Sequence, residues 1–225
     1  MPIRALVAAG LAVLLAIAAP ARAAVTLTTD DQKTIYAIGQ AMARQLEQFS
    51  FTPDEVSVLI AGMQDALTHA KSQVDVEAQS KQIRAFAEKR QAAAVEKQKA
   101  ETAPFLDKAA KEPGAKKTAS GLIYKELTPG TGPQPKETDK VKVNYKGTLT
   151  DGTEFDSSYK RNEPATFPLK GVIKCWTEGL QLMKVGGKSQ LICPADIAYG
   201  NSGRPPLIKP GAPLVFEVEL LEIVQ

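Results

Sequence analysis

Histidine is almost missing from this chain: His69 is the one such residue in 225. That excludes a Ser-His or Cys-His nucleophile pair coexisting with histidine metal ligands. No clustered metal-ligand spacing and no phosphate-cradling loop occur, and Gly200-Asn201-Ser202-Gly203 lacks the G-x-S-x-G spacing of a nucleophile elbow. No metal and no cofactor are therefore expected. Net charge is also small, formally +3. It drops to +1 when Arg4 and Arg22, in a segment read below as removed, are taken from the 28 basic residues set against 25 acidic ones. A balance so near neutral gives no electrostatic case for nucleic acid. Cysteine is limited to Cys175 and Cys193, and tryptophan to Trp176.

Long apolar runs are scarce as well. The first, Leu6 to Ala19, follows Arg4 and precedes Ala21-Arg22-Ala23, which together read as a secretory signal peptide over residues 1–23. At about 14 residues the run falls short of the roughly 20 needed to span a bilayer. No second such run follows, and no Cys near the cleavage site could carry a lipid. The mature chain is expected to start near Ala24 and to be exported, in a Gram-negative host to the periplasm, where disulfides persist.

Residues 24–71 carry two helical patterns. Ile35, Ile38, Met42, Leu46 and Phe49 recur at spacings of three and four after the caps offered by Thr28 to Asp31. Thr52-Pro53-Asp54-Glu55 is a capping box with proline at the first helical position, and Val56, Leu59, Ile60, Met63, Ala66 and Leu67 form the stripe behind it. Two helices cannot enclose a core alone, so their stripes need a partner. A second copy of the same segment satisfies that need through self-complementarity; docking on the chain's own C-terminal domain is the alternative.

Residues 72–117 read as a spacer. Val74 to Ala100 is rich in Ala, Gln, Lys and Glu, with Ile83, Phe86 and Val95 as sparse apolar residues, which predicts a largely solvated helix of about 27 residues spanning roughly 40 Å. Pro104 should kink or end it, with Phe105-Leu106 restarting a last turn, and Ala115 to Ser120 reads as a basic linker.

From Gly121 the period changes from 3.6 to 2. Val141, Val143, Tyr145, Gly147 and Leu149 alternate with polar residues, Asp151-Gly152 marks a hairpin turn, and Lys188 to Pro194 and Leu214 to Val224 are further strands. Val172 and Ile173 read as the end of a β-like run leading into a short helix at Trp176 to Met183. Several strands and one helix make an α+β domain over residues 118–225, an antiparallel sheet wrapped on that helix. A tryptophan at a strand-to-helix junction can be a flat apolar floor, its ring N–H finding a partner at the edge, or plain core. Tyr199, before the Pro- and Gly-rich loop Asn201 to Pro213, is placed as a cleft wall.

The motifs Val143-Asn144-Tyr145-Lys146-Gly147, Asp151 through Ser158, Val172-Ile173 ahead of Trp176-Thr177-Glu178-Gly179, Ile197-Ala198-Tyr199-Gly200 and Leu214 through Leu220 together resemble the FKBP family of peptidyl-prolyl cis/trans isomerases. The earlier pieces Tyr36-Ala37-Ile38-Gly39, Gly62 through Ala66 and Ser120 through Tyr124 are similar to the macrophage infectivity potentiator class of secreted bacterial members. That resemblance implies a homodimer through the N-terminal helices, with the long helix carrying the isomerase domain away from them. It places catalytic roles on Tyr145, Phe155, Asp156, Ile173, Trp176, Tyr199 and Phe216, and substrate contacts on Phe167, Val172, Leu207 and Ile208. Ala165 stands where a third wall aromatic is usual, Arg204 where a His is common, and Cys175 where Gly is common.

The implied reaction breaks no covalent bond. Rotation about X-Pro is slow because amide resonance sets a barrier of about 18–20 kcal/mol, and the twisted imide is less dipolar than the planar one. A dry apolar site therefore binds the twisted form preferentially. The implied partners are unfolded or partly folded proteins with X-Pro bonds, with chaperone binding as an added role, and a macrolide inhibitor such as rapamycin; a non-catalytic holdase is the rival. Cys175 and Cys193, flanking the pocket region in an oxidising compartment, are expected to form a disulfide, against the alternative of two buried thiols.

Overall fold

The computed structural model describes residues 25–224, so the signal-peptide expectation for residues 1–23 lies outside the described residues. Helix α1 (Asp30–Leu46) opens the chain, and a 3₁₀ turn, Glu47–Phe49, follows it. Helix α2 (Pro53–Leu67) starts on the expected capping box: Thr52 Oγ1 accepts from the Glu55 N–H, and the Glu55 carboxylate accepts from the Thr52 N–H at 2.8 Å. Along α1, Ile35, Tyr36, Ile38 and Met42 are exposed, as are Val56 and Ile60 on α2. By contact the chain separates into two units divided after Ala41.

Helix α3 spans Ser80–Ala110, 31 residues. Two expectations are corrected here. The helix starts six residues after Val74, and it does not end at Pro104 but runs on to Ala110. Proline removes one helical donor and crowds the carbonyl four residues back, but the turns beyond it are anchored: Ala109 is buried with Ile123 and Ile192, and Phe105 and Leu106 pack beside them. The buried positions Val95, Thr102 and Ala109 recur every seven residues, one thin strip on an otherwise polar helix. At the other end Phe49, Phe51 and Phe86 stack with centroids 5.3–6.2 Å apart, and Arg90 pairs with Glu55.

The segment Ala115–Lys117, expected to be linker, is strand β1. It pairs antiparallel with β2 (Ile123–Thr128), whose own strand pattern was missed, because only Ile123 and Tyr124 are buried along it. Next come β3 (Lys140–Thr148), β4 (Glu154–Ser157), β5 (Ala165–Pro168), helix α4 (Lys174–Gln181), β6 (Lys188–Cys193) and β7 (Leu214–Val224). The sheet order is β1-β2-β6-β7-β3-β4, all antiparallel where paired, with β5 pairing the first half of β3 and β4 its second half. Alternation holds as read: Val141, Val143 and Tyr145 of β3 face Leu214, Phe216, Val218 and Leu220 of β7 in one core. The hairpin after β3 turns at Asp151-Gly152, where the Asp151 carboxylate accepts from the Thr153 N–H at 2.8 Å. The sheet wraps α4, whose Trp176 and Leu180 point inward, and Gly179 lies so close to Leu191 that an added Cβ would meet it at 2.7 Å.

Val172 and Ile173 do not end a strand. A 3₁₀ turn, Leu169–Gly171, precedes them, and Ile173 is the N-cap of α4, which begins two residues before Trp176. Cys175 and Cys193 are joined by a disulfide with Cα atoms 5.7 Å apart, fully buried between the first turn of α4 and the end of β6.

Candidate active site

Trp176 lies at the centre of a box of rings. Tyr145, Phe216 and Phe167 stand edge-on to its indole at centroid distances of 5.1, 5.3 and 5.6 Å, and Phe155 stands perpendicular to Phe216 at 5.6 Å. Edge-to-face contacts of this kind each contribute about 0.5–1.5 kcal/mol beyond area burial. Trp176, Tyr145 and Phe216 are each no more than 5% exposed, yet all three line an open pocket of about 800 Å³. The floor of the pocket is therefore also core of the domain. The indole N–H, expected to find a partner at the edge, is buried without an acceptor among the described residues.

Phe155 and Asp156 are neighbours in sequence, and a straight strand would send them to opposite faces. Both line the pocket. The reason is a bulge: Gly147 pairs with Asp156 and Thr148 with Glu154, which leaves Phe155 as the extra residue. Gly147 completes the device, since a Cβ there would meet Phe155 at 2.7 Å and Phe216 at 2.9 Å.

The polar wall is a triangle. The Tyr145 hydroxyl donates to Asp156 Oδ2 at 2.5 Å, and Arg161 donates to Asp156 Oδ1 at 2.7 Å and to the Tyr145 oxygen at 2.8 Å. Burial pushes the Asp156 carboxyl up. The hydrogen bonds from Tyr145 and Arg161, the guanidinium charge and the Ser157 N–H outweigh it, so Asp156 stays below its ordinary value. Tyr145 is raised, first by burial and then by its bond to the carboxylate, and Arg161 is raised by its bond to Asp156. At neutral pH the triangle is carboxylate, neutral phenol and guanidinium. Sequence reasoning missed Arg161. Its signal was slight: a basic residue five positions after Asp156, in the 3₁₀ turn Tyr159–Arg161.

Val172 and Ile173 line the same pocket as the rings, and so do Tyr199 and Ile208. The Ile173 N–H donates to no protein acceptor among the described residues, while its carbonyl accepts from the Trp176 and Thr177 N–H groups. Arg204 sits over the Tyr199 ring at 5.9 Å, its Nη1 3.4 Å from the hydroxyl oxygen. Leu207 is more than half exposed at the rim, and Ile208 is buried. The structure thus brings Tyr145, Phe155, Asp156, Phe167, Val172, Ile173, Trp176, Tyr199, Leu207, Ile208 and Phe216 to one pocket. The bonded Cys175 and Cys193 lie behind it, in the core.

Comparison with known proteins agrees with this geometry. Residues 132–221 match the family described as FKBP-type peptidyl-prolyl cis-trans isomerase, and residues 31–125 match the domain amino-terminal to that isomerase. The chain is 41% identical over 207 residues to the FKBP-type peptidyl-prolyl cis-trans isomerase FkpA of Escherichia coli, covering 86% of this chain and 76% of the relative. The chain belongs to the FKBP-type peptidyl-prolyl cis-trans isomerases. The FKBP-type 22 kDa isomerase of E. coli is likewise 41% identical, over 88% of this chain and 98% of its own length. Among solved structures, the crystal structure of FkpA from E. coli superposes with a TM-score of 0.64 at 39% identity, over 88% of this chain and 98% of that one. Among the described residues no helix is long and apolar enough to cross a membrane.

Proposed function

We propose that this isomerase binds a prolyl ring in the box of Tyr145, Phe155, Val172, Trp176 and Phe216 and stabilises the twisted imide there. The observation that carries the reading is a buried aromatic floor beside a backbone N–H, that of Ile173, with no acceptor among the described residues. Desolvation disfavours the planar, more dipolar amide, while the Ile173 N–H and the Tyr199 hydroxyl hold substrate carbonyls on either side of the rotating bond. Phe167 closes the side of the floor, and Leu207 and Ile208 bound the loop wall. The Tyr145–Asp156–Arg161 triangle sets a fixed local field and holds the Tyr145 ring against Trp176. No proton needs to move, in keeping with a chain that has a single histidine.

The substrates are X-Pro bonds of unfolded or partly folded exported proteins. The exposed stripe of α1, Ile35, Ile38 and Met42, supports a homodimer through the N-terminal helices, because an isolated helix bearing it leaves that apolar surface in water. The dimer gives two pockets to one client chain and so a chaperone role beside catalysis.

The test is a proline-limited tetrapeptide assay with and without rapamycin, alongside light scattering of the mature chain. Turnover abolished by the macrolide, in a particle of twice the chain mass, is expected. Client binding without turnover would instead make the protein a holdase.

A further inference from the structure

The loop Arg204–Pro210 has two faces. One bounds the proline pocket; the other bounds a second groove of about 560 Å³, walled by α3 and by the end of α1. Pro205, Pro206 and Ile208 line both spaces, so the loop is the partition between them and the groove lies directly behind the proline pocket. The helix comes this close because Gly211 replaces a side chain with space: a Cβ there would meet Val95 at 3.1 Å. A bond from Gln91 Nε2 to the Asn201 carbonyl, 2.8 Å, and a Lys99–Asp196 pair at 3.5 Å hold the same wall.

The groove has an apolar floor of Ala93, Ala94 and loop prolines and a charged rim of one dominant sign. Arg44, Arg90, Lys97 and Lys209 face Glu47 and Glu101. Arg90 is committed to Glu55, and Lys97 and Glu101 lie 3.9 Å apart. Arg44 and Lys209 form no ion pair among the described residues. The Lys209 charge also reaches the Asp151 carboxylate and helps to hold it low, behind the hydrogen bonds from Thr153. The loop carries one cation on each face, Arg204 toward the pocket and Lys209 toward the groove, and no anion.

We propose that this groove is an extended subsite of the isomerase, which takes an acidic stretch of the same polypeptide whose X-Pro bond occupies the proline pocket. The inference rests on the proline-pocket reading. Adjacency names the occupant: a chain leaving the pocket over the loop meets the groove next. An apolar floor with two carboxylates on its rim suits a peptide carrying a few acidic side chains and disfavours a polyphosphate. Tetrapeptides end inside the first pocket, so a preference of this kind is invisible with them.

The test uses the full mature protein and three matched proline peptides, each with the same tetrapeptide core and a six-residue extension that is glutamate-rich, lysine-rich or neutral. The extension is placed on the amino side in one series and on the carboxyl side in another. In one series kcat/KM should favour the glutamate form over the lysine form about three- to tenfold at low salt, and the preference should shrink as salt is added. Lys209→Glu, alone and with Arg44→Glu, should erase or invert that ratio; both residues are exposed, so the variants should fold. Trp176 fluorescence gives the same ratio as a binding ratio, independent of turnover. Equal values for glutamate and lysine peptides in both series would overturn the subsite while leaving the isomerase reading intact. So would a preference that both variants retain. Absence of turnover on every peptide would count against the isomerase reading, and the fluorescence ratio would then decide the subsite alone.

Discussion

Tyr145→Phe tests the polar wall with the least collateral change. The variant keeps the ring, and with it the edge contacts to Trp176 at 5.1 Å and Phe167 at 6.0 Å, but deletes the hydroxyl that donates to Asp156 at 2.5 Å. A hydrogen bond to a charged group contributes about 1.5–3 kcal/mol. Asp156 keeps Arg161 and the Ser157 N–H, so the lower end, about 1.5 kcal/mol, is the working figure, and kcat/KM should fall roughly tenfold. The pH profile adds a second readout. Burial raises the Asp156 carboxyl, and the Tyr145 bond is the first of the influences that reverse it. A folded-state value below the unfolded one means stabilisation that is present above the unfolded value, near 3.9, and is lost as pH falls through the folded value. Wild-type kcat/KM should thus be flat through neutral pH, with an acid limb below the ordinary Asp range. In Tyr145→Phe that limb should move to higher pH. The assay is kcat/KM on a neutral tetrapeptide from pH 3 to 9, with far-UV spectra confirming the fold. An unmoved acid limb together with wild-type kcat/KM would refute the assignment of Tyr145 and Asp156 to the working wall.

Three further outcomes follow from the same structure. Replacing Cys175 and Cys193 together by Ala opens a loop of 18 residues and should cost about 3 kcal/mol; a Tm within error of wild type would show that the bond adds nothing. Phe216→Ala removes a buried ring that Trp176 and Phe155 both contact and should cost about 3–5 kcal/mol in denaturant titration, with catalysis lost in whatever remains folded. A fragment of residues 112–225 keeps all seven strands and every pocket residue. It should be monomeric by light scattering and turn over tetrapeptides about as fast as the whole chain, yet lose rate on a proline-limited refolding protein; equal refolding rates would remove the case for two linked pockets.

The readable parts of the chain are those with a strong period or a local chemical signal. The Val141–Leu149 alternation and the Thr52–Glu55 capping box each map onto one element within a residue or so. β2 escaped because its outer half is exposed and its pairing to β6 is what makes it a strand. β1 escaped because three residues of Ala and Lys carry no strand signal of their own, and a neighbour supplies it. Pro104 misled in the opposite direction, since the packing of Ala109 on Ile123 and Ile192 overrides a local breaker. Within the site, the rings were legible from the family motifs, whereas Arg161 was hidden. It reaches Asp156 through a 3₁₀ turn, and no spacing rule anticipates that geometry. The bulge at Phe155 was hidden for a related reason: register is a property of two strands together.

Trp176 is both core of the domain and lining of the pocket. A catalyst that acts by favouring a less dipolar transition state needs a floor from which water is already excluded, and the interior of the domain is where such a floor exists. Trp176, Tyr145 and Phe216 are suited to both needs because α4 starts at the pocket, so its first turn holds both a ring of the pocket floor and the cysteine that ties α4 to β6. On the proposed reading, stability and catalysis are drawn from the same side chains. Substitutions of these rings will move both together, and the peripheral groups, Tyr199, Arg161 and the loop cations, are where activity can be altered with the fold left in place.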